Sequence, residues 1–393
     1  MRLVRAIGRF FGSGDRRYQA IVLVGYLAAT ALAIWTLHPV ADRMMVLAER
    51  IAQGRLDSPT FAGTVDSVLL DGRTYLAVGP LQVAPYLPFV PLPAFQGLAR
   101  YVVALVPGLV SAWLALPLAR AHGASGTVAY WIAGFTAFGT LLFYVSVFGD
   151  FYYLAHAEAF LALTVLLIEW GGRRRPLVIG LAFAFAFLAR PTTILAAVPF
   201  AVALLPDRPG RLRSAVAFAV PIVAGVAIYA GYNWARFGSP LEAGYAMSHI
   251  TEPTLIARRA LGVFSPAQIP ENIRLALFQG FTLRARPPFL IPDPHGLSML
   301  LVSPGLLIAL RAGFRRPLAR LLWIATGLVA IPIFLFYGGG YVQYGFRYSL
   351  DFTPFLIALM ALGTAERFGR LERGLIAVSV ASVAFGVLWH ARP

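Results

Sequence analysis

Apolar stretches of roughly membrane-crossing length recur along almost the whole chain, and no other feature limits the possible folds as strongly. They fall near 18–38, 98–118, 126–148, 153–170, 176–189, 192–206, 214–233, 296–311, 319–337, 351–365 and 374–391. An α-helix needs about 20 apolar residues to cross a ~30 Å hydrocarbon core. With 59% hydrophobic and 13% charged residues and a mean hydropathy of +0.73, the chain is too apolar for a soluble domain. The expected fold is an all-α polytopic membrane protein with about eleven transmembrane helices. The whole chain, 1–393, forms one domain. Two large polar loops interrupt it, at 39–97 and 234–295, and carry short interfacial helices.

All 33 basic residues are arginine and the net charge is +16. Arginines gather between alternate spans, as in Arg173-Arg174-Arg175, Arg208/Arg211/Arg213 and Arg311/Arg315/Arg316/Arg320. This is the positive-inside bias, so the charge reports topology and not nucleic-acid binding. It sets the N-terminus, with Arg2, Arg5, Arg9, Arg16 and Arg17, on the cytoplasmic side of a bacterial inner membrane, and the two large loops on the outer face. The apolar run after Arg17 is long enough to span and reads as an uncleaved first helix. Cysteine is absent, which excludes disulfides, thiolate nucleophiles and cysteine metal sites.

The stretches 176–189 and 192–206 are each only about 20 Å long as helices, short of the hydrocarbon core. They read as a hairpin of short helices with Arg190 at its turn. A single long kinked helix is the alternative. Arg190 either binds a phosphate or pairs with an outer acid.

The first polar loop concentrates acids on a mostly apolar chain. Asp42 opens a short amphipathic helix with Met44, Leu47, Ala48 and Ile51 on one face, ended by Gly54. Asp42 is a helix cap or a catalytic carboxylate. Asp71-Gly72 reads as a tight hairpin turn. Asp66 has no such structural role and is the second candidate base. The prolines from Pro80 to Pro93 form an extended entry to the next span.

Beyond that loop, Asp150 precedes a helix that carries His156 and Glu158 one to two turns inside it. Ionisable groups at such depth face a bundle interior. The segment Tyr232–Tyr245 reads as an interfacial loop. The segment Tyr337–Asp351 is rich in glycine and tyrosine, which suits contact with a sugar or headgroup. Arg347 there either binds phosphate or pairs with Asp351 four residues on.

Four patches in order resemble the GT-C superfamily of integral-membrane glycosyltransferases, in particular the branch that includes protein O-mannosyltransferases and the lipid A aminoarabinose transferase. They are LAERIAQGRL followed by DGRTYLAVGPLQVAPYLPF, then FLARPTTILAAVPF, YNWARFGSPLEAGY and YGFRYSLDFTPFL. Together they span residues 42–358. The resemblance implies transfer of a sugar from a polyprenyl-phosphate carrier to a lipid, glycan or protein hydroxyl on the outer face, with an acid of the first outer loop as base. Val40 stands where the family often has an acidic pair, so Asp42 or Asp66 takes that role. Arg190 and Arg347 would bind the donor phosphate. Asp150, His156, Glu158 and Tyr348 would hold sugar or acceptor. The expected reaction is inverting. A divalent cation could share the phosphate charge, although no ligand cluster demands a metal. The alternatives are a lipid or polysaccharide transporter and a non-catalytic protein of the same fold.

Overall fold

A computed structural model describes residues 15–37, 42–204, 210–364 and 368–392. Residues 38–41, at the start of the first loop, lie outside the described residues, as do Arg2, Arg5, Arg9 and Arg208 of the charge pattern. The protein is about 71% helical with almost no sheet, an all-α membrane architecture.

Helix α1 (Asp15–Thr36) is fixed at its start by Asp15, whose carboxylate accepts from both Arg120 Nη atoms at 2.9 Å. Helix α2 (Arg43–Ala52) is the expected amphipathic helix. It buries Met44, Met45, Leu47 and Ala48, and Asp42 Oδ1 caps it by accepting from Met44 N at 2.9 Å. Gly54 follows at φ +74°, in the left-handed region that ends helices cheaply only for glycine. Strands β1 (Ser67–Leu70) and β2 (Arg73–Leu76) pair antiparallel around Asp71-Gly72. Both turn residues have positive φ, 48° and 72°, as a two-residue hairpin of this kind requires.

After the four-residue helix α3 (Pro80–Val83), prolines hold the chain in short 3-10 turns up to helix α4 (Gln96–Ala121). Helices α5 (Gly126–Phe138) and α6 (Leu141–Val147) are bent by 44° to one another. Helix α7 (Phe151–Gly171) begins at Asp150, whose Oδ1 accepts from Tyr152 N at 2.9 Å.

Helix α8 (Pro176–Ala189) ends at Arg190, whose backbone is extended. A 3-10 turn at Pro191–Ala196 leads into α9 (Ala197–Leu204). Phe183 of α8 and Phe200 of α9 lie ring to ring at 5.5 Å, so the two arms run back along one another. The segment is the hairpin expected from the short apolar runs, not a continuous kinked helix. Helix α10 (Arg211–Phe237) then packs against α8 with small residues between them. A Cβ on Gly180 would come within 2.2 Å of the Phe218 carbonyl oxygen. Close approach of this kind is what holds helices together where lipid removes the hydrophobic drive.

The second polar loop carries α11 (Pro253–Ala260), α12 (Ile269–Leu277) and a small hairpin of β3 (Thr282–Leu283) with β4 (Leu290–Ile291). Helix α13 (Met299–Val302) and a 3-10 turn at Pro304–Ala312 occupy the stretch read as a span near 296–311. Ser303 and Pro304 break it. Helices α14 (Pro317–Leu335), α15 (Thr353–Thr364) and α16 (Arg370–His390) complete the bundle.

Among the described residues, six helices are long and apolar enough to cross a membrane: α1, α4, α7, α10, α14 and α16. The bent pair α5–α6 makes a seventh. The apolar helices at 176–189, 191–204 and 353–364 are shorter. The polar loops are not loosely attached. Met44, Leu47 and Ala48 pack with Phe61, Leu76, Tyr86, Ala99 and Phe151 in a small core of their own. Each large side chain of this core, such as Met44, Leu47, Phe61 or Leu76, contributes about 1.5–3 kcal/mol on burial from water. Arg236 fastens α10 to the first loop. Its guanidinium donates to Leu76 O at 2.6 Å and to Asn233 Oδ1 at 2.9 Å, and lies 3.8 Å from the Tyr232 ring centre.

Candidate functional site

The two polar loops, the start of α7, the turn of the α8–α9 hairpin and the 3-10 turn at Arg347–Asp351 enclose a cavity of about 570 Å³. Its lining includes Asp66, Asp150, His156, Arg190, Arg347 and Tyr348, six of the eight residues singled out in the sequence. Asp42 and Glu158 do not line it.

Asp351 does not line the cavity but sits behind His156 and Arg190, which do. It is fully buried, and both its oxygens are engaged. Oδ1 lies 2.7 Å from His156 Nδ1. Oδ2 accepts from Arg190 Nε at 2.8 Å and from Thr192 Oγ1 at 3.4 Å. Arg190 therefore pairs with an acid, one of its two expected roles. The hairpin turn delivers it because the extended backbone at Arg190 and the following Pro191 stop α8 at that point.

Arg347 does not pair with Asp351. The expected pairing assumed the four-residue spacing of an α-helix, but Arg347–Asp351 is a 3-10 turn, with three residues per turn. Residues four apart then point in different directions. Arg347 instead donates from Nη1 to Gln343 Oε1 at 2.5 Å, and its Nε is buried with no hydrogen-bond partner. No ion pair of Arg347 occurs among the described residues. Its guanidinium lies 5.1 Å from the Tyr348 ring centre and 5.9 Å from each of the Tyr152 and Tyr153 rings. Arg190 is also 5.1 Å from the Tyr348 ring, so one aromatic side chain borders both cations.

Asp66 lies in another wall of the cavity, just before β1. Its φ of 63° is left-handed, a conformation that aspartate tolerates better than most side chains. The strain is held by backbone bonds on both sides: Asp66 N donates to His249 O and Ala77 N to Asp66 O, each at 2.9 Å. Burial pushes the Asp66 carboxyl above the usual range, and the Tyr152 hydroxyl and the Arg43, Arg347 and Arg259 guanidinia partly offset this. The Tyr152 hydroxyl faces Asp66 but closes no hydrogen bond. Burial makes this carboxylate a better proton acceptor than a free one, while the nearby cations favour its ionised form.

Asp42 sits differently. One oxygen caps α2 and the other, Oδ2, is buried without a partner. Burial also raises its pKa, opposed by the Met44 N–H, Arg100 and Tyr86. Glu158 lies on α7 two residues from His156, about 200° around the helix, and faces a separate apolar groove.

Cavity residues that the sequence reading passed over include Arg43, Tyr245, Glu252 and His390. Arg43 donates to Val65 O at 2.6 Å and covers the Phe151 ring at 4.7 Å. Its place on the polar face of the amphipathic helix, next to Asp42, was the available signal. His390 comes from the far end of the chain, and nothing local in the sequence marks it. Among the described residues, no group of three or more histidine or acidic side chains is arranged to hold a metal ion.

No family model matches the chain, and no curated protein or solved structure matches it either.

Proposed function

We propose that the protein is a membrane glycosyltransferase that moves a sugar from a polyprenyl-phosphate donor to an acceptor hydroxyl at this cavity. The observation that carries the reading is Arg347: a buried cation with an unpartnered Nε, in the same cavity as the partly desolvated Asp66. A guanidinium without a carboxylate partner, among aromatic rings, is suited to an anionic group such as a phosphate. Tyrosines and polar loop residues around it suit a sugar.

In this mechanism Asp66 removes the proton from the acceptor hydroxyl. The acceptor oxygen forms a bond to the sugar C1 while the C1–O bond to the phosphate breaks. The electron pair leaves with the polyprenyl phosphate, whose growing charge Arg347 stabilises. Attack opposite the leaving group inverts the anomeric centre. Arg190, already neutralised by Asp351, is a positioning residue that fixes Tyr348 and His156. Asp150 caps α7 and presents its polar edge to the sugar or acceptor. Asp42 keeps a structural role as cap.

The reading places the polar loops and cavity on the outer face of a bacterial inner membrane, with the N-terminus in the cytoplasm. In a GT-C-like fold of about eleven crossings the short helices at 176–189, 191–204, 299–312 and 353–364 would count as spans. Transfer from a polyprenyl-phosphate sugar, assayed with purified protein in liposomes, tests the proposal. Asp66→Asn is expected to abolish transfer, while Asp42→Asn retains it. Undiminished transfer by Asp66→Asn would sink the mechanism. Movement of the lipid-linked sugar across the bilayer without transfer would make the protein a transporter.

A further inference from the structure

The wall of the polar cavity holds one side chain whose hydrogen-bonding polarity is fixed from behind. Asp351 lies outside the cavity lining, and Arg190 supplies the positive charge that balances it. An ionised carboxylate can only accept, so His156 donates to it from Nδ1, across 2.7 Å. The charged groups around His156 are two guanidinia, Arg190 and Arg347, and the single carboxylate of Asp351. A second proton on the ring, at Nε2, would set a third cation beside one buried anion. Nε2 therefore keeps its lone pair. Because Nδ1 is turned to Asp351, behind the wall, the opposite edge of the ring, with Nε2, faces the cavity that His156 lines. Among the described residues, no protein group hydrogen-bonds Nε2.

Arg347 has the reverse polarity. A guanidinium offers donors and no acceptor, and its Nε is unpartnered. The Tyr348 ring borders both groups, at 5.3 Å from the His156 ring centre and 5.1 Å from the Arg347 guanidinium. The two therefore serve one ligand. An ionised phosphate diester has acceptors only, so the Nε2 lone pair repels it and Arg347 attracts it. The group beside the phosphate must then carry an O–H for Nε2. A ligand without one buries the lone pair unpaired, which costs more than the bond would gain. Sites built around a hydroxyl reject analogues that lack it for this reason.

We propose that His156 Nε2 accepts a hydrogen bond from a hydroxyl of the donor's sugar while Arg347 holds the adjoining phosphate, so that this pair selects a glycosyl phosphate over other phosphate diesters. The inference rests on the transfer reading and adds to it the group that reads the sugar. Asp66 remains the base, and no proton leaves the bound hydroxyl at His156.

The test measures binding to the full chain in liposomes. The probes are undecaprenyl phosphate diesters bearing glucose, mannose or galactose, and undecaprenyl methyl phosphate, which has the same charge and no hydroxyl. The three sugars place a hydroxyl in both orientations at C2 and at C4. At least one glycosyl ester is expected to bind about tenfold more tightly than the methyl ester, the factor carried by one hydrogen bond. His156→Phe loses that ratio and leaves methyl-ester binding unchanged, whereas a merely structural role would weaken all four probes alike. His156→Gln can donate to Asp351 and still present an oxygen to the cavity, and retains most of the ratio. Nitrogen NMR of the parent, with the His156 signal assigned by its loss in His156→Gln, is expected to show a proton on Nδ1 and a bare Nε2. Equal binding of glycosyl and methyl esters by the parent, an unchanged ratio in His156→Phe, or a proton on Nε2 overturns the proposal. A ratio that depends on His156 in a protein that transfers to no acceptor keeps this site and removes the transferase reading. Failure of every ester to bind removes both.

Discussion

Arg190 and Asp351 are 161 residues apart in the chain and 2.8 Å apart in the structure, and the carboxylate of this pair is fully buried. The bond ties the turn of the α8–α9 hairpin to the start of α15. Removing one partner leaves a charge uncompensated in the interior. Arg190→Met and Asp351→Asn are each expected to destabilise the protein by about 3–5 kcal/mol, and the double variant by less than their sum. Thermal unfolding in detergent, run as a double-mutant cycle, measures the difference.

Arg347 gives the opposite pattern. It makes no ion pair among the described residues and its Nε satisfies no protein group, while its Nη1 donates one hydrogen bond to Gln343, so Arg347→Gln should lower the melting temperature less than Arg190→Met or Asp351→Asn does. If Arg347 binds the departing phosphate, transfer falls by roughly two to three orders of magnitude, as when one charge-stabilising donor is lost. Parallel melting and kinetic measurements separate this variant from a folding defect. A large fall in melting temperature with transfer intact would show that Arg347 is structural.

Asp66 predicts a link between pH, activity and stability. The base works only when ionised, and burial holds its folded-state pKa above the unfolded value. Transfer is therefore expected to fall with acidification at a pH above the ordinary aspartate range. The folded state also binds this proton more tightly than the unfolded chain, so this contribution favours folding less as pH rises through that range. Asp66→Asn should then be inactive yet at least as stable as the parent at neutral pH. A pH–rate profile and a melting curve for the same variant check both signs.

Gly180 tests the packing of α8 on α10. A Cβ there would press on a backbone carbonyl, not on a side chain able to turn aside. Gly180→Ala is expected to cost about 1–3 kcal/mol and to lower the yield of folded protein. Gly134, with nothing within 4 Å of an added Cβ, is the control and should accept alanine.

The sequence made local features legible. The amphipathic pattern from Met44 to Ile51, the Asp71-Gly72 turn and the short apolar arms around Arg190 each depend on neighbours a few residues apart, and each appears as a helix, a turn and a hairpin. Asp42 and Asp66 could not be separated from sequence. Their difference lies in which side chains from distant segments surround them: Met44 and Tyr86 for Asp42, Tyr152, Arg43 and Arg347 for Asp66. The His156–Asp351 contact joins residues 195 positions apart, and no periodicity announces it. The two roles open to Arg347 could not be separated from sequence, because its reach to Asp351 four residues on depends on whether the backbone winds as an α-helix or, as it does, as a 3-10 turn. The break at Ser303-Pro304 was hidden within an apolar run that composition alone reads as continuous.

The short helix α3 sends Gln82 into the polar cavity and Leu81 into the apolar groove. Gln82 also donates to Phe151 O at 3.1 Å, at the head of α7, and accepts from Gly79 N at 2.7 Å. One turn of polypeptide is thus a party wall between a wet room and an oily one. A substitution at Leu81 on the lipid side therefore falls in the same turn that places Gln82 in the polar chamber, and the two compartments share that boundary.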